Sequence, residues 1–329
     1  MSLSGTGSVS EAPSDRDTLP PMSSAPFSTL RPHLRQRFGR EVYRVALDAG
    51  STCPNRDGSK GYGGCVYCDI EGSGTGQLAS GRDIASQLEL GIRRVRRRDE
   101  NPGIIAYFQS YSNTYVARER LEEVLQSIDA WIGDPVVAVS ISTRPDTLPP
   151  EALEILSGLA QRVPVWLELG LEAANDGLLE RIRRFHTVAD FRDAVERAHA
   201  ANLEVIGHAI LGLPGDGREG ARATAALLAE TGISGVKVHN LMILRRTVLE
   251  TWWRRGEVEV LDAPTYVDWL ADFVERLHPE QVLHRLTGDA PIEERLAPRW
   301  TTHKSEIRDL LALELERRGT SQGSRCGES

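Results

Sequence analysis

Apolar and polar positions alternate in two rhythms between about residues 29 and 318. Short runs rich in Val and Ile, each closed by a turn signal, predict strands at Val42–Leu47, Ile104–Phe108, Val136–Ile141, Val165–Leu169, Glu204–Ile210, Gly235–His239 and Gln281–Arg285. Between them, "DIASQLELGIRRVRRR", "ARERLEEVLQSIDAWI", "PEALEILSGLAQR" and "VADFRDAVERAHAAN" carry apolar residues at three- and four-residue spacing, which predicts helices with one buried face. Strand–helix alternation with connections long enough to cross over implies parallel pairing. Six or seven βα units without a break in composition predict one α/β domain, a TIM-like (β/α)6–7 barrel, complete or open. Chemistry in such barrels gathers where strands end and βα loops begin. The polar segments fall there: a cysteine loop after the first strand, then "QSYSNTY", "STRPDT", "ELGLE", "LGLPGD" and "HNLMIL" at successive strand ends.

Composition sharpens the picture at the ends of the chain. The 329 residues are 40% hydrophobic and 26% charged, ordinary globular values, with a formal charge of −8. That balance excludes a uniformly cationic nucleic-acid binder but not a local basic patch. No apolar stretch approaches the length of a spanning helix, and the Ser-, Pro- and Gly-rich N-terminus lacks the pattern of a signal peptide. Residues 1–28 therefore read as a disordered leader, 29–318 as the barrel with a C-terminal extension, and 319–329 as a disordered tail carrying Cys326. Four cysteines are too few for a disulfide-built scaffold, and a reducing cytoplasm is the expected location.

The other three cysteines share one glycine-rich loop, "CPNRDGSKGYGGCVYCD", spaced Cys53-x11-Cys65-x2-Cys68. Clustered thiolates suit soft metals such as zinc, copper(I) or iron–sulfur clusters. A closed zinc site needs four ligands, and no nearby His completes this set. The readings left open are unpaired loop thiols, zinc with a remote fourth ligand, or a [4Fe–4S] cluster with one iron free for another ligand.

The loop, with "YFQSYSNTY", "STRPDTLP", "ELGLEAAND", "HAILGLPG", "KVHNLMIL" and "HRLTGDAP", resembles the radical S-adenosylmethionine (SAM) superfamily, in its bacterial Elp3-like, YhcC-type branch. The likeness runs from about Phe38 to Lys304. The superfamily's usual spacing is C-x3-C-x2-C, so the long first gap departs from it while matching this branch. The resemblance implies an open barrel of the radical SAM type, a [4Fe–4S] cluster on Cys53, Cys65 and Cys68, and SAM chelating the open iron. It also implies an electron from an external donor such as flavodoxin or ferredoxin, cleavage of SAM, and a 5′-deoxyadenosyl radical that takes hydrogen from the substrate. Tyr67 then sits where an aromatic lies near adenine, or else packs the loop. Gln109, Ser110 and Asn113 fall where relatives contact SAM's amino group, although Ser112 and Asn113 also suit a helix cap.

Other side chains have readings of their own. Glu168 interrupts an apolar strand and must face a polar cavity or a partner; the resemblance implies contact with SAM, with Glu172 less secure. Arg144 is placed to bind a carboxylate bidentately or to pair with Asp146 within its loop. Gly212 lies in the segment expected to back adenine. His208 reads as core or barrel-facing. Lys237 and His239 share one strand face and are candidates on the substrate side, as are Arg285 and Asp289 after the last strand. In "RRFH", Phe185 stands where relatives carry glycine, which puts a role for His186 in doubt. The resemblance points to tRNA, at a wobble-uridine side chain, with "RPHLRQRFGR" (residues 31–40) and "RRVRRR" (residues 93–98) as phosphate contacts or as solvated helix ends. A small metabolite or a protein is the alternative substrate, and a zinc-stabilised nucleic-acid module without catalysis the alternative function.

Overall fold

The computed structural model describes residues 25–68, 82–288, 290–302 and 304–328, so most of the expected leader lies outside the described residues. At its centre are seven strands: β1 (Val42–Leu47), β2 (Gly103–Phe108), β3 (Val136–Thr143), β4 (Val165–Glu172), β5 (Glu204–Leu211), β6 (Gly235–Asn240) and β8 (Val282–Arg285). They form one sheet in that order, every pair parallel. Helices α2 (Ile84–Arg96), α3 (Arg118–Gln126), α4 (Pro150–Ala160), α5 (Asp176–Arg181), α6 (Val188–Ala200) and α7 (Gly217–Glu230) connect them along the outside. The sheet is an open barrel, as expected. Its two edges are not paired with each other; Arg44 of β1 reaches across to the His284 carbonyl of β8 at 3.1 Å.

The strands β3 and β4 run past their expected ends through Ser142 and Thr143, and through Gly170, Leu171 and Glu172. Polar residues there mark a cavity-facing strand end, not a turn. The helix expected over 117–132 stops early: Ser127 Oγ donates to the Val124 carbonyl at 2.6 Å, a back-bond that ends α3. Only a short 3₁₀ turn, Asp129–Trp131, follows.

Side chains alternate across the sheet. The outward set, including Leu47, Ile104, Phe108, Leu167, Val205 and Val238, forms the main core beneath the helices. The inward set closes the bottom of the barrel with Ile105, Ala138, Trp166, Ile206 and Val282, plugged by Leu30 and Leu34 of α1 (Leu30–Phe38). Helix α2 lies so close to β1 that a Cβ at Gly91 would overlap the Val45 side chain. Gly91→Ala should therefore lower stability by about 1–2 kcal/mol in denaturant unfolding, because overpacking outweighs alanine's better helix preference.

The C-terminal elements are β7 (Ile243–Leu244), α8 (Val248–Arg254), α9 (Ala263–Arg276), β9 (Arg295–Ala297) and α10 (Lys304–Arg318), with β7 and β9 forming a separate antiparallel pair. Arg318 fastens α10 to α9 by ion pairs with Asp272 at 2.8 Å and Glu275 at 3.1 Å. Residues 26–28 and Gln322, within the expected leader and tail, are built into the fold. Phe27 joins the core, Ser28 N donates to Gln322 Oε1 at 2.9 Å, and Gln322 donates back to the Pro26 carbonyl and to that of Gln281. A single amide side chain that satisfies several backbone groups leaves no trace in composition.

Candidate active site

A cavity of about 600 Å³ opens at the C-terminal ends of the strands. The cysteine loop forms one wall, and Cys53, Cys65 and Cys68 all line it. Neighbouring loops hold this loop in place. Ser112 N donates to the Thr52 carbonyl at 3.1 Å, Lys60 pairs with Asp146 at 2.5 Å, and Val66 N donates to the Ile182 carbonyl at 3.1 Å. Asn55 Nδ2 donates to the Arg183 carbonyl at 2.6 Å and to Cys65 Sγ at 3.4 Å. Arg184 adds a longer contact to Cys65 Sγ, at 3.7 Å, and Arg56 donates to Cys68 Sγ at 3.1 Å. These N–H donors are aimed at the sulfurs of Cys65 and Cys68. Asn55 and Arg56 lie within the eleven-residue gap, so the insertion itself supplies donors to two of the three sulfurs.

Segment 183–186 clasps the loop from outside. Arg183 and Phe185 hold φ of +60° and +54°, conformations that glycine adopts with less strain. Phe185 packs against Gly61, where no Cβ would fit. His186 is buried without a hydrogen-bond partner for either ring nitrogen and does not line the cavity. Burial, then Arg184 and Arg144, push it down to about 2. It stays neutral in the folded chain and charges on unfolding below about pH 6.5. The folded state then binds fewer protons, so this contribution is full above pH 6.5 and is lost as pH falls. His186→Gln should remove a slope of up to about 1.4 kcal/mol per pH unit from acid unfolding curves below pH 6.5.

The cavity floor is a buried polar layer. Glu168, 2% exposed, accepts from Ser140 at 2.5 Å, Ser142 at 3.0 Å, His208 Nε2 at 3.0 Å and Lys237 Nζ. Lys237, 1% exposed, also donates to Tyr107 OH at 3.2 Å and lies over its ring. Burial opposes ionisation of Glu168, but Lys237 and His208 outweigh it and hold the carboxyl well below its usual range. Burial pushes Lys237 down to about 7, with Glu168 opposing. Glu168 thus faces the cavity as anticipated, with Lys237, His208 and two serines already bound to it. His208 and His239 stack loosely, ring centroids 5.7 Å apart, and His239 shares its strand face with Lys237.

The remaining candidate residues divide between wall and scaffold. Tyr67, Gln109, Ser112, Arg144, Glu172 and Arg285 line the cavity. Arg144 spends Nε and one Nη on Asp146, at 2.9 and 2.8 Å, so the loop pair forms; its other Nη is buried without a partner. Glu172 pairs with Arg184 at 3.5 Å. Three residues expected to contact SAM lie away from the cavity lining. Asn113 neither lines the cavity nor caps a helix: its amide donates to the Phe108, Ser110 and Ser142 carbonyls, tying the β2 loop to β3. Ser110 is fully buried outside the cavity lining. Gly212, with φ of +87°, is covered by Leu261. Asp289 lies outside the described residues.

Sequence reasoning missed Asn55, Arg56, Tyr107, Ser140 and Ser142. The period-two alternation of β2 and β3 carried the signal for the last three. The arginine clusters lie away from the site. Arg37 pairs with Glu204 at the start of β5, Arg31 with Glu41, and residues 93–98 end α2 before β2 begins, all at the opposite end of the barrel.

The model of the radical SAM superfamily matches residues 52–228, more than half of the chain. The chain belongs to the radical SAM superfamily. A radical SAM C-terminal domain model matches residues 233–317. YtqA of Bacillus subtilis is 37% identical over 299 residues, covering 90% of this chain and 92% of its own. YhcC of Escherichia coli K12 is 32% identical over 272 residues, covering 82% and 86%. The fold is that of an archaeal Elp3 from Methanocaldococcus infernus, TM-score 0.67 at 17% identity; the match spans 87% of this chain and 64% of that one. The radical SAM chain is therefore an enzyme of a family that uses a [4Fe–4S] cluster and SAM.

This radical SAM site fits those cofactors chemically. Three thiols, two of them with N–H donors, form one wall of a cavity of small-molecule size. Tyr67 OH, Ser112 Oγ, Arg184 Nε and an Arg144 Nη are buried along it with unused hydrogen-bonding capacity. Among the described residues no three His, Cys, Asp or Glu side chains converge on one ion-sized point, as closed zinc requires.

Proposed function

We propose that this cavity is a radical SAM reaction chamber in which Cys53, Cys65 and Cys68 hold the [4Fe–4S] cluster. The observation that carries this reading is the gathering of all three thiols, with their N–H donors, on one wall at the C-terminal ends of the strands. A cluster and SAM held there would supply one-electron chemistry, the reductive cleavage of SAM to a radical able to take hydrogen from the substrate. The chain's own residues do the rest. Arg56, Asn55 and Arg184 donate hydrogen bonds to the sulfurs of Cys65 and Cys68. Tyr67, Gln109, Ser112 and Arg144 offer SAM an aromatic face and polar groups. The Glu168–Lys237 pair fixes the floor, while α1 closes the bottom against water. An external donor such as flavodoxin or ferredoxin supplies the electron.

For the substrate we infer a wobble-uridine side chain of tRNA. A relative named tRNA uridine(34) acetyltransferase, from Dehalococcoides mccartyi, is 26% identical over 158 residues, covering 47% of this chain and 34% of its own. The second reading is a free small metabolite, favoured by the position of both arginine clusters at the far end of the barrel. Nucleoside mass spectrometry of tRNA from cells with and without the gene separates the two. A wobble-uridine species that changes supports tRNA; an unchanged profile supports the metabolite.

A further inference from the structure

Five cationic side chains line the cavity: Arg56, Arg144, Arg184, Lys237 and Arg285. Four are committed. Arg56 donates to Cys68, Arg144 grips Asp146, Arg184 pairs with Glu172, and Lys237 pairs with Glu168. Arg285, at the end of β8 and in register with Lys237, has no hydrogen bond or ion pair among the described residues. Its neighbour on the cavity wall, His239, has a buried Nε2 that is also unpartnered. Burial, and next the Arg285 charge, hold His239 well below its usual range, so it is neutral and contributes a hydrogen-bonding group without a second charge.

A half-buried cation without a counter-charge is costly unless a ligand supplies one. We infer that Arg285 and His239 form an oxyanion subsite for a carboxylate carried by the substrate. This rests on the reading of the cavity as a reaction chamber and names a chemical class for its occupant. The guanidinium fork matches a planar carboxylate with two parallel hydrogen bonds, and His239 adds a third from an Nε2–H tautomer. Charge selects between oxyanions. One uncommitted positive charge balances a carboxylate, whereas a phosphate monoester brings about −1.5 to −2 and leaves excess negative charge in the cavity. Lys237 does not make up the difference, since Glu168 already neutralises it.

The test is calorimetric titration of the cluster-loaded, SAM-saturated protein with benzoate and with benzamide, its neutral isostere. Benzoate should bind saturably with Kd on the order of 1 mM, and benzamide at least about tenfold more weakly, the worth of a charge-assisted pair. Arg285→Ala should abolish the preference, and Arg285→Lys should keep part of it. His239→Phe should weaken benzoate binding while leaving benzamide unchanged. Failure of benzoate to bind, equal binding of the two probes, or a preference that survives Arg285→Ala overturns the subsite. Loss of SAM affinity in Arg285→Ala with iron intact also overturns it, by placing Arg285 against SAM itself. Iron content and SAM affinity report separately on the chamber: a protein that takes up neither sinks that reading, while the benzoate-to-benzamide ratio still decides the subsite.

Discussion

Cys65→Ala, reconstituted anaerobically with iron and sulfide, is expected to hold no stable cluster and to release no 5′-deoxyadenosine on reduction. Cys326→Ala is expected to match the wild type in both. Cys65 is the most enclosed of the loop thiols, 6% exposed, and its sulfur receives Asn55 and Arg184. Removing it takes away one of the three proposed ligands and leaves the buried Arg184 guanidinium facing an alanine. Cys326 is exposed and absent from the cavity lining. The wild type should carry about four irons per chain, as a [4Fe–4S] cluster requires. Iron analysis and product chromatography make the check, with far-UV circular dichroism to show that the variant is folded. Wild-type iron in Cys65→Ala would contradict the ligand assignment. One tightly held zinc in the wild type would contradict the chemistry as a whole.

The largest effect on stability is expected at Lys237→Met, compared with the wild type below pH 7, where Lys237 is charged in the folded chain. Its partner Glu168 sits 2% exposed at the centre of the floor and would keep His208 and two serines but lose its cation. Breaking a buried pair from one side costs about 3–5 kcal/mol, far more than a surface pair. The melting temperature should fall by roughly 10 °C. Adding Glu168→Gln should recover part of the loss, since the stranded charge is then gone. The pH dependence has a definite sign. Folding lowers Lys237 from its ordinary value to about 7, so between pH 7 and its unfolded value the unfolded chain binds more protons. Wild-type stability should rise with pH across that window, by up to about 1.4 kcal/mol per unit, and Lys237→Met should lack the rise. A variant as stable as the wild type, with an unchanged slope, would rule the pair out as a stabilising element.

Much of this was legible in the sequence because it depends on periodicity. Parallel strands buried on both faces give compact Val- and Ile-rich runs, and all seven emerged with ends displaced by only a few residues. Glu168 was conspicuous because a carboxylate in such a run needs a partner, and the cysteines because thiols rarely cluster. Asn113, by contrast, offers the same amide whether it meets SAM or three carbonyls, and only the fold decides. Arg184 was passed over because its significance lies in reaching Cys65 across a long stretch of chain. The arginine clusters could not be placed from sequence, which does not show that Arg37 has Glu204 to pair with.

The clasp on the cysteine loop also bears on timing. Part of what steadies the thiol loop is made long after it: Arg184 follows Cys65 by 119 positions, and Val66 accepts a bond from Leu249 N later still. At about 5–20 residues per second, the thiols leave the ribosome on the order of 10 s before their supports exist. During that interval the loop lacks those contacts. On the proposed reading of the site, the complete setting for the cluster exists only once the chain has folded through Leu249.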